Sequence, residues 1–119
     1  MDATELKART KAFALRIVRM YAALPRTVVA EVLGKQVLRS GTSVGAHYRE
    51  ACRARSAAEF ISKMEVGLQG LEETAYWLEL LVEAEVLSTE RLGSLRKEAD
   101  ELTAILVSSV NTAKNRKDG

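Results

Sequence analysis

An all-α, antiparallel up-down-up-down bundle of four long helices is the fold that three observations predict. Apolar residues recur at three- and four-residue spacing in four successive segments, the signature of amphipathic helices. The segments are joined by short connections, which place consecutive helices side by side and antiparallel. The composition is 47% hydrophobic and 29% charged, with one proline and only 5% aromatic residues, and strand-type alternation is hard to find. The 119 residues are expected to form a single domain, 1–119, with a core of useful size.

The first helix is expected over 4–23. Asp2 or Thr4 can cap it, and Glu5 sits near the positive end of its dipole. Leu6, Phe13, Ile17, Met20 and Leu24 mark its inner stripe. Leu15 and Val18 fall outside that stripe and exceed what one buried face requires, so they are candidate subunit contacts. Leu24-Pro25 ends the helix, because a residue before proline resists the helical conformation.

The second helix is expected over 27–53, capped by Thr27. Ser40-Gly41-Thr42-Ser43 interrupts it weakly, and a bend rather than a loop is expected because the apolar spacing resumes beyond. Gly41 and Gly45, four apart, share a face and permit close approach of another backbone. Ser56-Ala57-Ala58-Glu59 fits a capping box and launches a third helix over 57–85, with Phe60, Met64, Gly67, Leu71, Thr74, Leu78 and Leu81 inward. Tyr76 and Trp77 lie partly off that stripe and are candidate subunit contacts as well. Ser88 or Thr89 caps a fourth helix over 89–114, and the basic tail 115–119 is expected to fray.

Net charge is only +2, but it is unevenly distributed. Residues 26–55 carry six basic and two acidic side chains, whereas residues 56–87 carry one basic and seven acidic. That asymmetry serves either complementary packing of helices or subunits, or a basic surface for phosphate-bearing partners. Arg39, Arg49, Arg53 and Arg55 form the candidate nucleic-acid contact. Arg49 and Arg53 share a helix face, and Arg55 lies beside the amide-rich start of the third helix. Few aromatics lie among these arginines, so base stacking is not the expected mode.

No catalytic set, cofactor motif or metal-ligand cluster is legible. His47 and Cys52 occur once each and do not share a helix face. One cysteine, no signal-peptide pattern and no apolar run long enough for a bilayer lead to the expectation of a cytoplasmic, non-membrane protein. The expected function is therefore that of a non-enzymatic homo-oligomeric structural or binding module with affinity for RNA. The alternative is a protein-interaction adaptor, such as an accessory subunit that binds a reverse transcriptase.

Nearly the whole chain also resembles a known family. The resemblance runs through Leu24-Pro25, Gln36-Val37-Leu38-Arg39-Ser40, Ser43-Val44, Arg49-Glu50-Ala51, Arg53, Ser56, Glu59-Phe60-Ile61 and Tyr76-Trp77-Leu78-Glu79-Leu80-Leu81. These residues resemble the four-helix-bundle family of 23S rRNA intervening-sequence proteins, which includes the accessory variability proteins of diversity-generating retroelements. The chain departs from the family pattern at His47, where Asn is usual. The resemblance implies a non-enzymatic protein in a ring-like homo-oligomer, typically a pentamer. Its retroelement members resemble a basic funnel that binds a reverse transcriptase and nucleic acid.

Overall fold

A computed structural model describes residues 1–118 of the chain, with side chains as far as Arg116. Four helices follow in order: α1 (Ala3–Ala22), α2 (Val28–Cys52), α3 (Ala57–Glu83) and α4 (Thr89–Asp118). Each packs against its neighbours in the chain, and α1 meets α4 to close the bundle. The result is a rod of 51 × 20 × 20 Å.

Local chemistry sets the helix ends. The Asp2 carboxylate accepts from the Glu5 N–H at 2.8 Å, and the Thr27 hydroxyl from the Ala30 N–H at 3.1 Å. Ser56 accepts from the Glu59 N–H at 3.1 Å and Ser88 from the Arg91 N–H at 3.2 Å. The return arm of the expected capping box shifts by one residue. The Glu59 carboxylate accepts from the Arg55 N–H at 3.2 Å rather than from that of Ser56. The fourth helix outlasts its expected end at residue 114 and continues to Asp118, over part of the expected frayed tail. Lys114 and Arg116 oppose the negative pole of its dipole. Gly119 lies outside the described residues.

The core forms one continuous column. Phe13 and Ile17 of α1, Val37 and Val44 of α2, Leu71, Leu78 and Leu81 of α3, and Leu102 and Leu106 of α4 are essentially inaccessible to solvent. Burying each such side chain contributes roughly 1.5–3 kcal/mol relative to exposure, so the inner stripes dominate the stability. Val110 of α4 also joins the core.

Small residues set the spacing between helices. α2 runs unbroken through Ser40–Ser43. Gly41 presses on Ile17, where an added Cβ would stand 2.8 Å from the Ile17 Cγ1. Gly45 likewise faces Thr10, which is fully buried and donates its hydroxyl to the Leu6 carbonyl at 2.9 Å. Where α2 meets α3, the buried hydroxyls of Ser40 and Thr74 lie 2.8 Å apart, and Thr74 also donates to the Gly70 carbonyl at 2.7 Å. Each buried hydroxyl in this seam is therefore satisfied, as burial requires. These close seams fix the relative rotation of α2 and hence the direction in which its arginines project.

Candidate nucleic-acid interface

At 100° per residue, Arg39, Arg49 and Arg53 fall within an arc of about 80° on the outer side of α2, along a ridge about 20 Å long. All three are exposed, and none joins an ion pair among the described residues. Arg49 and Lys11 of α1 line a shallow groove of about 280 Å³, whose floor is built from Thr10, Ala14, Thr42 and Gly45. The glycine that brings α1 close to α2 thus also brings Lys11 beside Arg49.

Arg55 belongs to a different environment. With Arg53 it borders a depression of about 390 Å³ that also holds Glu50, Glu59 and Lys63. Lys63 pairs with Glu50 at 3.1 Å and, by donating to it, holds its carboxyl below the usual carboxylate range. Two carboxylates therefore offset the charge at this end. The four sequence-predicted arginines divide into two on the α2 ridge away from carboxylates (Arg39 and Arg49) and two at its end, Arg53 and Arg55, that border the depression holding Glu50 and Glu59.

Lys11 is the residue that sequence reasoning missed. Its charge was visible, but its place depends on the register of α1 against α2, which Gly45 and Thr10 fix.

His47 lies at the boundary of α2 and α3, its Cβ 3.7 Å from where a side chain on Gly67 would begin. Its Nδ1 is buried without a hydrogen-bond partner among the described residues, and the nearest carboxylate oxygen, on Glu50, is 3.8 Å away. Cys52 lies near the Tyr48 phenol, whose pKa is pushed up by burial and by that neighbour. Among the described residues, no group of three or more His, Cys, Asp or Glu side chains could hold a metal ion. No described helix is long and apolar enough to cross a membrane.

The expected subunit contacts divide as well. Leu15 and Val18 are each 44% exposed, and Tyr76 is 54% exposed. Trp77 is half-buried against the core and meets Tyr76 edge-on, with ring centroids 5.1 Å apart. Trp77 thus covers the core edge, while Leu15, Val18 and Tyr76 stand free. The acidic ridge of α3 has little intramolecular compensation. Glu72, Glu73, Glu79 and Glu83 are exposed and unpaired among the described residues, and Glu65 alone of this ridge pairs with α4, through Lys114 at 3.4 Å.

These features define a class: long-helix, four-helix-bundle proteins with glycine-lined seams and polarised outer faces. Within that class the chain belongs to the 23S rRNA-intervening sequence protein family, which it matches over residues 4–108. A crystal structure of a protein of unknown function from the S23 ribosomal protein family of Bacteroides thetaiotaomicron superposes with a TM-score of 0.87 at 40% identity. The match covers 93% of this chain and 99% of that one. No curated protein matches the chain.

Proposed function

We propose that the protein is a non-enzymatic, cytoplasmic module that assembles with itself and holds RNA by its phosphates along the outer face of α2. The observation that carries this reading is the ridge of Arg39, Arg49 and Arg53, joined by Lys11. It gathers cations in an arc, and none of them forms an ion pair among the described residues. Among the described residues the Lys and Arg ion pairs lie elsewhere: Arg9 with Glu98 and Glu101, Lys35 with Glu31, Lys63 with Glu50 and Lys114 with Glu65. Guanidinium groups suit phosphate because their planar fork donates two parallel hydrogen bonds. The smooth helical ridge presents no aromatic platform, so recognition follows backbone and shape rather than stacked bases. The family's rRNA-linked name agrees with an RNA partner, and the family resemblance supports a ring of five copies.

Fluorescence anisotropy with a labelled RNA hairpin tests the reading. Binding should weaken steeply with salt, and the slope of log K against log salt should fall by about one for each phosphate contact removed. Arg49→Ala with Arg53→Ala should weaken binding about tenfold or more, whereas Arg55→Ala should have a smaller effect. Binding that ignores salt, or that survives loss of the ridge, would refute it. Capture of a single protein and no RNA would replace it with the adaptor reading.

A further inference from the structure

The bundle divides its charge between its two halves. Between Glu5 and Glu50, a span that holds most of α1 and α2, nine Lys and Arg side chains accompany a single acidic one, Glu31. Between Ser56 and Lys114, a span that holds α3 and most of α4, eleven acidic side chains accompany four basic ones. A polyanion is therefore drawn to the α1–α2 side and repelled from the other, so it docks on one face rather than wrapping the rod.

On that side the cations stand in two rows. Arg39, Arg49 and Arg53 form the row on α2, its last member bordering Glu50 and Glu59. Lys7 and Lys11, four residues apart, share a face of α1 and follow one another by about 6 Å. Gly45 sits against Thr10, and counting four residues in opposite directions along these antiparallel helices brings Arg49 level with Leu6 and Lys7. Lys11 and Arg49 line the same shallow groove of about 280 Å³. Neither Lys7 nor Lys11 joins an ion pair among the described residues. The helices that carry the two rows are close neighbours, at about the 8–10 Å usual for packed helices. The floor between them is Ala14, Thr42, Gly45 and Ala46, with no aromatic ring.

We propose that this face takes double-stranded RNA, with phosphates of one strand along α1 and those of the other along α2. The assignment rests on the RNA reading and narrows its ligand to a duplex. Three features select a duplex over a single strand. A single strand offers one row of phosphates, which the α2 row alone would meet, whereas a duplex offers two. The strands that flank the deep, narrow major groove of A-form RNA run close together, so cations on two neighbouring helices can reach both. Sequence-independent binding of single strands relies on bases stacked on aromatic rings, and the floor between the rows offers none. A duplex keeps its bases stacked on one another and presents phosphates and shape, the usual basis of duplex RNA recognition.

Two fluorescein-labelled probes test it by anisotropy with the full chain at one salt concentration. One is a blunt RNA duplex of about 16 base pairs, and the other a uridine-only strand of the same length, which cannot pair. The duplex should bind about tenfold tighter than the strand. Lys7→Gln with Lys11→Gln should weaken the duplex about tenfold and reduce its salt slope by about two, while changing the uridine strand little. Lys11 is exposed, so Lys11→Gln alone keeps the test should the double variant lose helix content by circular dichroism. Lys97→Gln, exposed on α4, removes the same kind of charge from the other half and should change neither probe. A uridine strand that binds as tightly as the duplex would overturn the duplex assignment and leave the RNA reading standing. A duplex preference that survives loss of Lys7 and Lys11 would overturn the two-row account. Failure of both probes to bind would remove the RNA reading, and this assignment with it.

Discussion

Glu85 is the one non-glycine residue with a left-handed backbone among the described residues, at φ 61°. It follows the α3 C-cap, Ala84, and its position is fixed by a pair of hydrogen bonds. The Val86 N–H donates to the Leu81 carbonyl at 2.9 Å and the Glu85 N–H to the Val82 carbonyl at 3.0 Å, the Schellman arrangement. This conformation costs an L-residue about 1–2 kcal/mol and costs glycine almost nothing. Glu85→Gly should therefore stabilise the chain by about 0.5–1 kcal/mol after allowance for the greater freedom of glycine when unfolded. Urea unfolding with an unchanged m-value checks it, and a destabilised variant would show that the Glu85 side chain contributes more than its strain costs. Side-chain periodicity does not reveal such a site, because the left-handed turn follows from the hydrogen bonds that close α3. The same limit explains Ser56 and Glu59. Their spacing announced a helix start, but the choice between the Arg55 and Ser56 amides as donors depends on the path of the incoming chain. Thr10 was hidden for another reason. A polar residue in the inner stripe of α1 looks exposed until Gly45 is set against it and its hydroxyl turns back to Leu6.

At the level of whole helices, existence and inward faces were legible, and the pairings between faces were not. The inner stripes of α1 and α3 follow directly from three-four spacing, because burial of apolar surface imposes that period. Polar pairings across a seam depend on axial register, which short-range spacing does not encode. The clearest case ties α1 to α4. Arg9 donates from Nε and Nη2 to the Glu98 carboxylate at 2.8 and 2.7 Å, and from Nη2 to Glu101 at 2.9 Å. This forked contact keeps Glu98 ionised by holding its carboxyl below the usual range, chiefly through the Arg9 hydrogen bond. A carboxyl whose folded pKa is depressed contributes stability above its unfolded pKa and loses that contribution as pH falls through the folded value. Glu98→Gln should thus cost about 1 kcal/mol at neutral pH. The difference from the parent chain should narrow as pH falls through and below the usual carboxylate range, since the parent's carboxyl becomes neutral only beneath it. Thermal unfolding of both chains across that range measures it, and a difference independent of pH would show that the fork contributes by packing alone.

For the molecule as a whole, the outer surface carries charge and apolar area that the fold itself does not use. Cations line α2, glutamates unpaired among the described residues line α3, and Leu15 and Val18 stand exposed on α1. Tyr76 stands exposed on α3. A surface whose two sides differ in this way suits a head-to-tail contact, in which the patch on one copy meets a different patch on the next and a ring closes when the rotation allows. In that arrangement Leu15 and Val18 are central, because desolvated apolar anchors carry most of an interface's energy while rim charges set its orientation. Their exposure separates assembly from folding. Val18→Arg places a charge at a site that is 44% exposed, outside the buried core, so the monomer should fold with a helix content like that of the parent. In the assembly, an unpaired charge in an apolar contact costs several kcal/mol, enough to shift a micromolar association beyond the millimolar range. Light scattering at micromolar concentration should therefore give an oligomer for the parent and a species near 13.1 kDa for Val18→Arg, with circular dichroism unchanged. A parent that scatters as a single chain would remove the case for assembly. An oligomer that survives both Leu15→Arg and Val18→Arg would move the contact away from α1, leaving Tyr76 on α3 as the next surface to test.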